Sequence, residues 1–225
     1  LIHNEFSSKK FLQEGGDLEL IQLWINLPAR FRMTTPNYSG VQAEQTSTLA
    51  LDDGRVQLRV YSGEIAGASG PLKTLTGITS ATIQMRAGGR WTVSTSGKQT
   101  VLFYLLDGEL ELNGQKIHER SLVNFEHQDG DLRITAAHDS TILICLGEPL
   151  REKYVWQGPF VMNTETEILQ AIRDYQIGKF GFVERVDQIG RTVSLGGHSH
   201  VERTVPHEGK TAVGLVKLHR GDADI

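Results

Sequence analysis

Residues 55–146 leave this chain few folding options, because they read as one short β-strand after another. Val56, Leu58 and Val60 alternate with Gln57 and Arg59, and Ala81, Ile83 and Met85 repeat the pattern. A period of two turns one apolar face to a core and one polar face outward. Residues 91–93, 101–106, 109–112, 115–117, 122–125, 132–135 and 140–146 follow as further strands. Gly63, Gly67, Gly70-Pro71 and Gly130-Asp131 punctuate them, and Asp107-Gly108 and Asn113-Gly114 carry the signature of two-residue hairpin turns. Strands recurring every 8–12 residues or so between such turns predict a sandwich or a barrel.

The flanks differ. Residues 6–20 are polar around Gly15-Gly16 and read as an exposed loop. Residues 21–27 are dense in apolar side chains and stop at Pro28, which predicts a buried strand. Residues 29–52 are mixed and polar and read as a connector between halves. Beyond Gly147-Glu148-Pro149 comes a helix signature: Thr164 as cap, Glu167 three residues on, an apolar face at Ile168, Leu169, Ile172 and Tyr175, and an end near Gly178. Residues 182–225 are broken by Gly190, Gly196-Gly197, Gly209 and Gly214, with one strand expected at 213–218.

Composition narrows the function classes. A chain of 225 residues builds one large β domain or two small ones. Its net charge of -4 gives no basic footprint for direct nucleic-acid binding. The single Cys145 cannot form an internal disulfide, no apolar run approaches the ~20 residues that span a bilayer, and no secretory signal is visible, so the expectation is a cytoplasmic protein without membrane contact. Cys145 lies in an apolar run and reads as a buried, inert thiol. No Ser-His-Asp signature, phosphate loop or zinc cysteine cluster is present.

Two His-containing pairs have ligand spacing. On an extended strand, His3 and Glu5 point to one face, and so do His198 and His200. Imidazole with carboxylate is the donor set of non-haem iron, so divalent iron, Fe(2+), is the expected metal; Mn, Ni, Cu and Zn stay open as other divalent transition metals. The alternative for His198 and His200 is an exposed Gly/Ser/His loop. His118, His127, His138, His207 and His219 have no partner at a telling spacing and read as solvent-facing.

Several blocks, in order, resemble the pirin family of the cupin superfamily. Ile2-His3-Asn4-Glu5 resembles its metal-binding Ile-His-Ser-Glu block, and Gln22-Leu23-Trp24-Ile25-Asn26-Leu27-Pro28 the strand that follows. Leu146-Gly147-Glu148-Pro149-Leu150-Arg151-Glu152, Gly158-Pro159-Phe160-Val161-Met162-Asn163-Thr164 and the helix through Gln170-Ala171 and Asp174-Tyr175 resemble its late blocks. The resemblance implies an all-β chain of bicupin-type β-barrels (double-stranded β-helices) with one C-terminal helix at about 164–178. Residues 1–28 would end the N-terminal cupin, 29–52 connect, 53–181 form the C-terminal cupin with its helix, and 182–225 form a divergent tail.

The resemblance also implies an iron held by three His and one Glu in the first barrel. Two of those His belong to a His-x-His block that the family places upstream of Ile2. His198-Ser199-His200 is such a block, and Arg220-Gly221-Asp222 resembles the Gly-Asp turn that the family places before Ile-His-Ser-Glu. The chain is then either circularly permuted, with metal ligands His3, Glu5, His198 and His200, or truncated with an unrelated tail. Against permutation, the interval from His200 to Gly221 is about half of what the family has, and Val201-Glu202-Arg203 replaces an aromatic Phe-Glu. The second barrel is expected to hold no metal, since residues 91–97 lack His, Asp and Glu where a cupin presents its first ligands. Three functions stay open. One is a quercetin 2,3-dioxygenase-type oxygenase acting on a flavonol-like small molecule, with Glu5 as ligand and catalytic base. Another is a non-enzymatic iron-dependent regulator with a protein partner, a transcription factor or a metabolic enzyme. The last is a metal-free binding module. An incomplete barrel exposes strand edges, which favours a homo-oligomer.

Overall fold

A computed structural model of the chain describes residues 9–16, 19–181, 185–186, 192–193 and 217–220. In chain order the elements are α1 (Lys9–Glu14), β1 (Glu19–Gln22), α2 (Ala29–Arg32), β2 (Ser47–Leu51), β3 (Val56–Ser62), β4 (Glu64–Ile65), β5 (Ala68–Ser69), β6 (Thr79–Met85) and β7 (Arg90–Thr95). They continue with β8 (Thr100–Asp107), β9 (Glu109–Leu112), β10 (Gln115–His118), β11 (Ser121–Val123), β12 (Gly130–Ala136), β13 (Ser140–Gly147), β14 (Val155–Gln157), β15 (Phe160–Met162) and α3 (Glu165–Gln176). The remaining described strands are β16 (Arg185–Val186), β17 (Thr192–Val193) and β18 (Lys217–Arg220). The chain divides into two compact units, Leu1–Pro36 with Glu152–Glu208 and Val213–Ile225, and Asn37–Arg151 with Gly209–Ala212.

The second of these units is a two-sheet barrel. A six-stranded sheet runs in the order β11-β8-β13-β6-β3-β2, and a four-stranded one in the order β10-β9-β12-β7. Alternation builds the core as expected: β3 buries Val56, Leu58 and Val60, and β6 buries Ala81, Ile83 and Met85. Phe103 and Leu105 of β8 and Ile142, Ile144 and Leu146 of β13 join them, facing Trp91, Leu110, Leu112, Leu132 and Ile134 of the other sheet. The run in β13 is continuous because Leu143 and Cys145, on its other face, are also only 5% and 8% exposed. A strand buried on both faces loses the period-two signal.

The two dipeptide turn signals come out differently. Asn113 (φ 49°) and Gly114 (φ 84°) close a two-residue hairpin that pairs Leu112 with Gln115. Positive φ at both positions is what a type I′ turn needs. Asp107-Gly108 is not a hairpin: β8 lies in the six-stranded sheet and β9 in the four-stranded one, so the chain crosses between sheets there. The barrel also begins earlier than residue 53, since β2 pairs along β3 from Ser47↔Val60 to Leu51↔Val56.

In the other unit α3 starts as its signature predicts. The Thr164 hydroxyl accepts from the Glu167 N–H at 3.2 Å, and the Glu167 carboxylate accepts from the Asn163 and Thr164 N–H groups at 2.7 and 3.3 Å. Its buried stripe is narrower than the sequence suggests, with Ile168 and Ala171 inside and Leu169 66% exposed. Tyr175 instead meets the Phe160 ring edge-on at 6.3 Å, and Phe180 stacks on Phe160 at 6.2 Å. Two local expectations need correction. The polar segment before residue 20 contains the short helix α1, ended at Gly15 (φ 69°), whose N–H donates to the Phe11 carbonyl at 2.8 Å. The strand expected over 21–27 is confined to Glu19–Gln22, and residues 21–27 are half-buried.

Candidate functional site

His3, Glu5, His198 and His200 all lie outside the described residues. β1 pairs with β18 in an antiparallel ladder, Glu19↔Arg220, Leu20↔His219, Ile21↔Leu218 and Gln22↔Lys217. The head strand and the tail strand of the chain therefore share one small sheet. Gly221-Asp222 follows directly on the residue that pairs with Glu19.

Beyond β1 the Asn26-Leu27-Pro28 block is tied down by Arg32. Its guanidinium donates to the Leu27 carbonyl at 2.8 Å, to the Asn26 amide oxygen at 3.4 Å and to the Asn163 amide oxygen. The Ala29 N–H donates to the Glu152 carboxylate at 2.6 Å. Three blocks far apart in sequence, around residues 26–28, 152 and 163, thus meet at one point. Arg32 Nε is buried there without a partner. Sequence reasoning passed over Arg32 because an arginine in a polar connector looks like a solvated one.

The described part of the second barrel carries a small cavity near the segment where a cupin presents its first ligands. A cavity of about 80 Å³ opens at the barrel end lined by Thr95, Ser96, Gln99, Asn113, Phe125 and Asp131, among others, with no His. Two of the acids nearby are engaged structurally: Asp131 accepts from the Ser94 hydroxyl at 2.7 Å, and Asp129 from the Gly97 N–H at 2.7 Å, while Glu126 also lines the cavity. Among the described residues no three His, Cys, Asp or Glu side chains come together as a metal site. The described residues therefore do not fit a metal, and the metal expectation rests on His3, Glu5, His198 and His200. His127 and His138 are exposed. His118 is exposed too, but it ends strand β10 rather than lying in a loop, with Nδ1 3.0 Å from the Glu109 carboxylate.

Burial pushes the Cys145 thiol up to about 12. It is therefore protonated and unreactive at neutral pH. In the unfolded chain the same thiol ionises near 9.0, so its contribution to stability is intact below that pH and is lost as pH climbs toward 12. The expected result is no labelling of the native protein by a thiol reagent at pH 8 and full labelling in denaturant. Rapid native labelling would contradict this placement.

A second concavity was not foreseen. Residues 38–43 and Thr46 overlie the outer face of β3 and enclose about 510 Å³ with Arg59, Tyr61 and Leu72. Arg59 gave no signal beyond its place at an outward position of an alternating strand.

Among the described residues no helix is long and apolar enough to cross a membrane. Residues 80–181 match the pirin C-terminal cupin domain. The chain is 32% identical over 180 residues to a Pseudomonas aeruginosa protein named "Putative quercetin 2,3-dioxygenase", covering 80% of this chain and 63% of that protein. It is 31% identical over 194 residues to Pirin-1 of Arabidopsis thaliana, covering 81% of this chain and 63% of that one. Its fold superposes on the crystal structure of a quercetin 2,3-dioxygenase from Acinetobacter baumannii with a TM-score of 0.68 at 31% identity, over 70% of this chain and 55% of that one. The chain thus spans a little under two thirds of these curated relatives. With an all-β cupin barrel and the late sequence blocks in place, residues 80–181 form a pirin C-terminal cupin domain, and the chain as a whole is similar to pirins.

Proposed function

We propose that this chain is a pirin-type metalloprotein with oxygenase chemistry on a flavonol-like small molecule. In this reading His3, Glu5, His198 and His200 hold a divalent metal, with iron the best match to three imidazoles and a carboxylate. Such a metal supplies a Lewis-acid and redox centre for dioxygen chemistry. Glu5, the one carboxylate of the set, takes the proton of the substrate hydroxyl. The order of segments is circularly permuted: the tail supplies the part of the first barrel that the family places before the head.

The observation that carries this reading is the β1–β18 ladder. It joins the head of the chain to its tail, as a tail completing the head's barrel would. The names of the relatives support the substrate class. The test is metal content by elemental analysis of the purified protein beside His3→Ala and His200→Ala, with quercetin consumption followed by absorbance and oxygen uptake. About one metal ion per chain is expected, lost in both variants, since each removes a ligand. Metal retained in His200→Ala would sink the permuted ligand set. Metal without turnover would sink the oxygenase and leave an iron-dependent binder of a protein partner. No metal at all would sink both.

A further inference from the structure

The pocket on the outer face of β3 has a chemistry of its own. Leu58 and Val60 point into the core, so Arg59 and Tyr61 point out. Across the sheet Arg59 is paired with Thr48 on one side and Thr82 on the other, neither of them an acid. Of the ten residues lining the pocket Arg59 is the only charged one, and its guanidinium has no ion pair or hydrogen bond among the described residues.

The walls are built rather than draped. The Tyr61 hydroxyl is 2.9 Å from that of Thr82, which fixes its ring. The Leu72 N–H donates to the Tyr61 carbonyl at 2.9 Å, and Gly70 lies so close that a Cβ there would sit 2.2 Å from the Tyr61 carbonyl carbon. On the far side the turn over residues 42–46 is closed by Gln42 N–H to Gln45 Oε1 at 2.8 Å and by the Thr46 hydroxyl to the Ala43 carbonyl at 2.6 Å. Tyr38, 78% exposed, stands at the rim. A volume of about 510 Å³ is that of a small-molecule site.

One unpaired guanidinium matches one carboxylate, which it grips with two parallel N–H donors. Two tyrosine rings with Val41 and Leu72 suit a flat apolar body. The absence of any acid in the lining disfavours a cation, and a lone arginine is too little for a multiply charged phosphate ester. We infer that this pocket is a binding site for a small aromatic carboxylate, separate from the metal chemistry proposed above.

The test uses 2-naphthoate titrated into the full chain by calorimetry, beside 2-naphthol, which lacks the carboxylate, and cyclohexanecarboxylate, which lacks the flat ring. Saturable binding of 2-naphthoate is expected, with each comparison compound at least about ten-fold weaker. Arg59→Gln should weaken 2-naphthoate by about ten-fold or more, and Tyr38→Ala by a smaller factor, both with an unchanged melting temperature since both side chains are exposed. His3→Ala should bind it as the unaltered chain does. No saturable binding, equal binding of 2-naphthol, undiminished binding in Arg59→Gln, or a loss in His3→Ala would each overturn the inference.

Discussion

Phe103→Ala is expected to destabilise the chain by about 3–5 kcal/mol in a denaturant titration, close to the limit of what a small domain withstands. Phe103 is fully buried on β8, which lies between β11 and β13 in the six-stranded sheet. It is paired with Ile144 of β13 on one side and Val123 of β11 on the other. Its ring meets that of Phe125 edge-on at 6.2 Å. Truncation removes the apolar transfer energy of the ring, and the strands that grip it cannot close the void without breaking their ladders. Leu122→Ala is the comparison. It is the same class of change one residue before Val123, but Leu122 is 55% exposed, and its loss should stay within about 0.5 kcal/mol. Equal effects from the two would mean that the inner face of the barrel has been assigned to the wrong residues.

Much of this was legible in the residues, and what was not shares a cause. Period-two alternation identified Val56, Leu58 and Val60 and Ala81, Ile83 and Met85 as core, because a strand's side chains have only two directions to choose between. The Thr164–Glu167 capping box was equally plain, since both partners sit within one turn. α1 was missed because six residues carry too few apolar repeats to show a period. Leu169 and Tyr175 were assigned to a buried face that packing leaves exposed. Arg32 and Arg59 stood out in no local pattern: one gathers blocks some 130 residues apart, and the other matters only because residues 38–46 fold over it. Local rules cannot see such pairings. The metal candidates His3, Glu5, His198 and His200 were drawn from ligand spacing and from family blocks, lie outside the described residues, and remain a proposal supported by the ladder between β1 and β18.

Gly108→Ala is the second large effect, and it separates two reasons for glycine that a Gly-containing turn motif confounds. Gly108 has φ +94°, where an L residue is strained by roughly 1–2 kcal/mol. Its missing Cβ is also a steric necessity: an added one would lie 2.3 Å from the Asp139 carbonyl oxygen and 2.7 Å from the Ser140 Cα. Those are backbone atoms at the start of β13, the strand between β8 and β6. They cannot withdraw cheaply, because the Glu109 carbonyl next door accepts from the N–H groups of Ala137 and His138, at 2.9 and 3.2 Å, and from the Ser140 hydroxyl at 3.2 Å. Gly114→Ala has nearly the same dihedral, φ +84°, with nothing within 4 Å of the added carbon. It should therefore show the conformational cost alone, about 1 kcal/mol. Gly108→Ala should cost about 2 kcal/mol more than that, since overpacking against fixed backbone adds to the strain. The expected signs are a lowered denaturation midpoint and faster amide exchange in β13, next to the crossing. If the two alanine variants unfold at the same denaturant concentration, the close approach of residue 108 to the 139–140 backbone is wrong, and the Asp107-Gly108 pair is the simple hairpin turn that its dipeptide suggests.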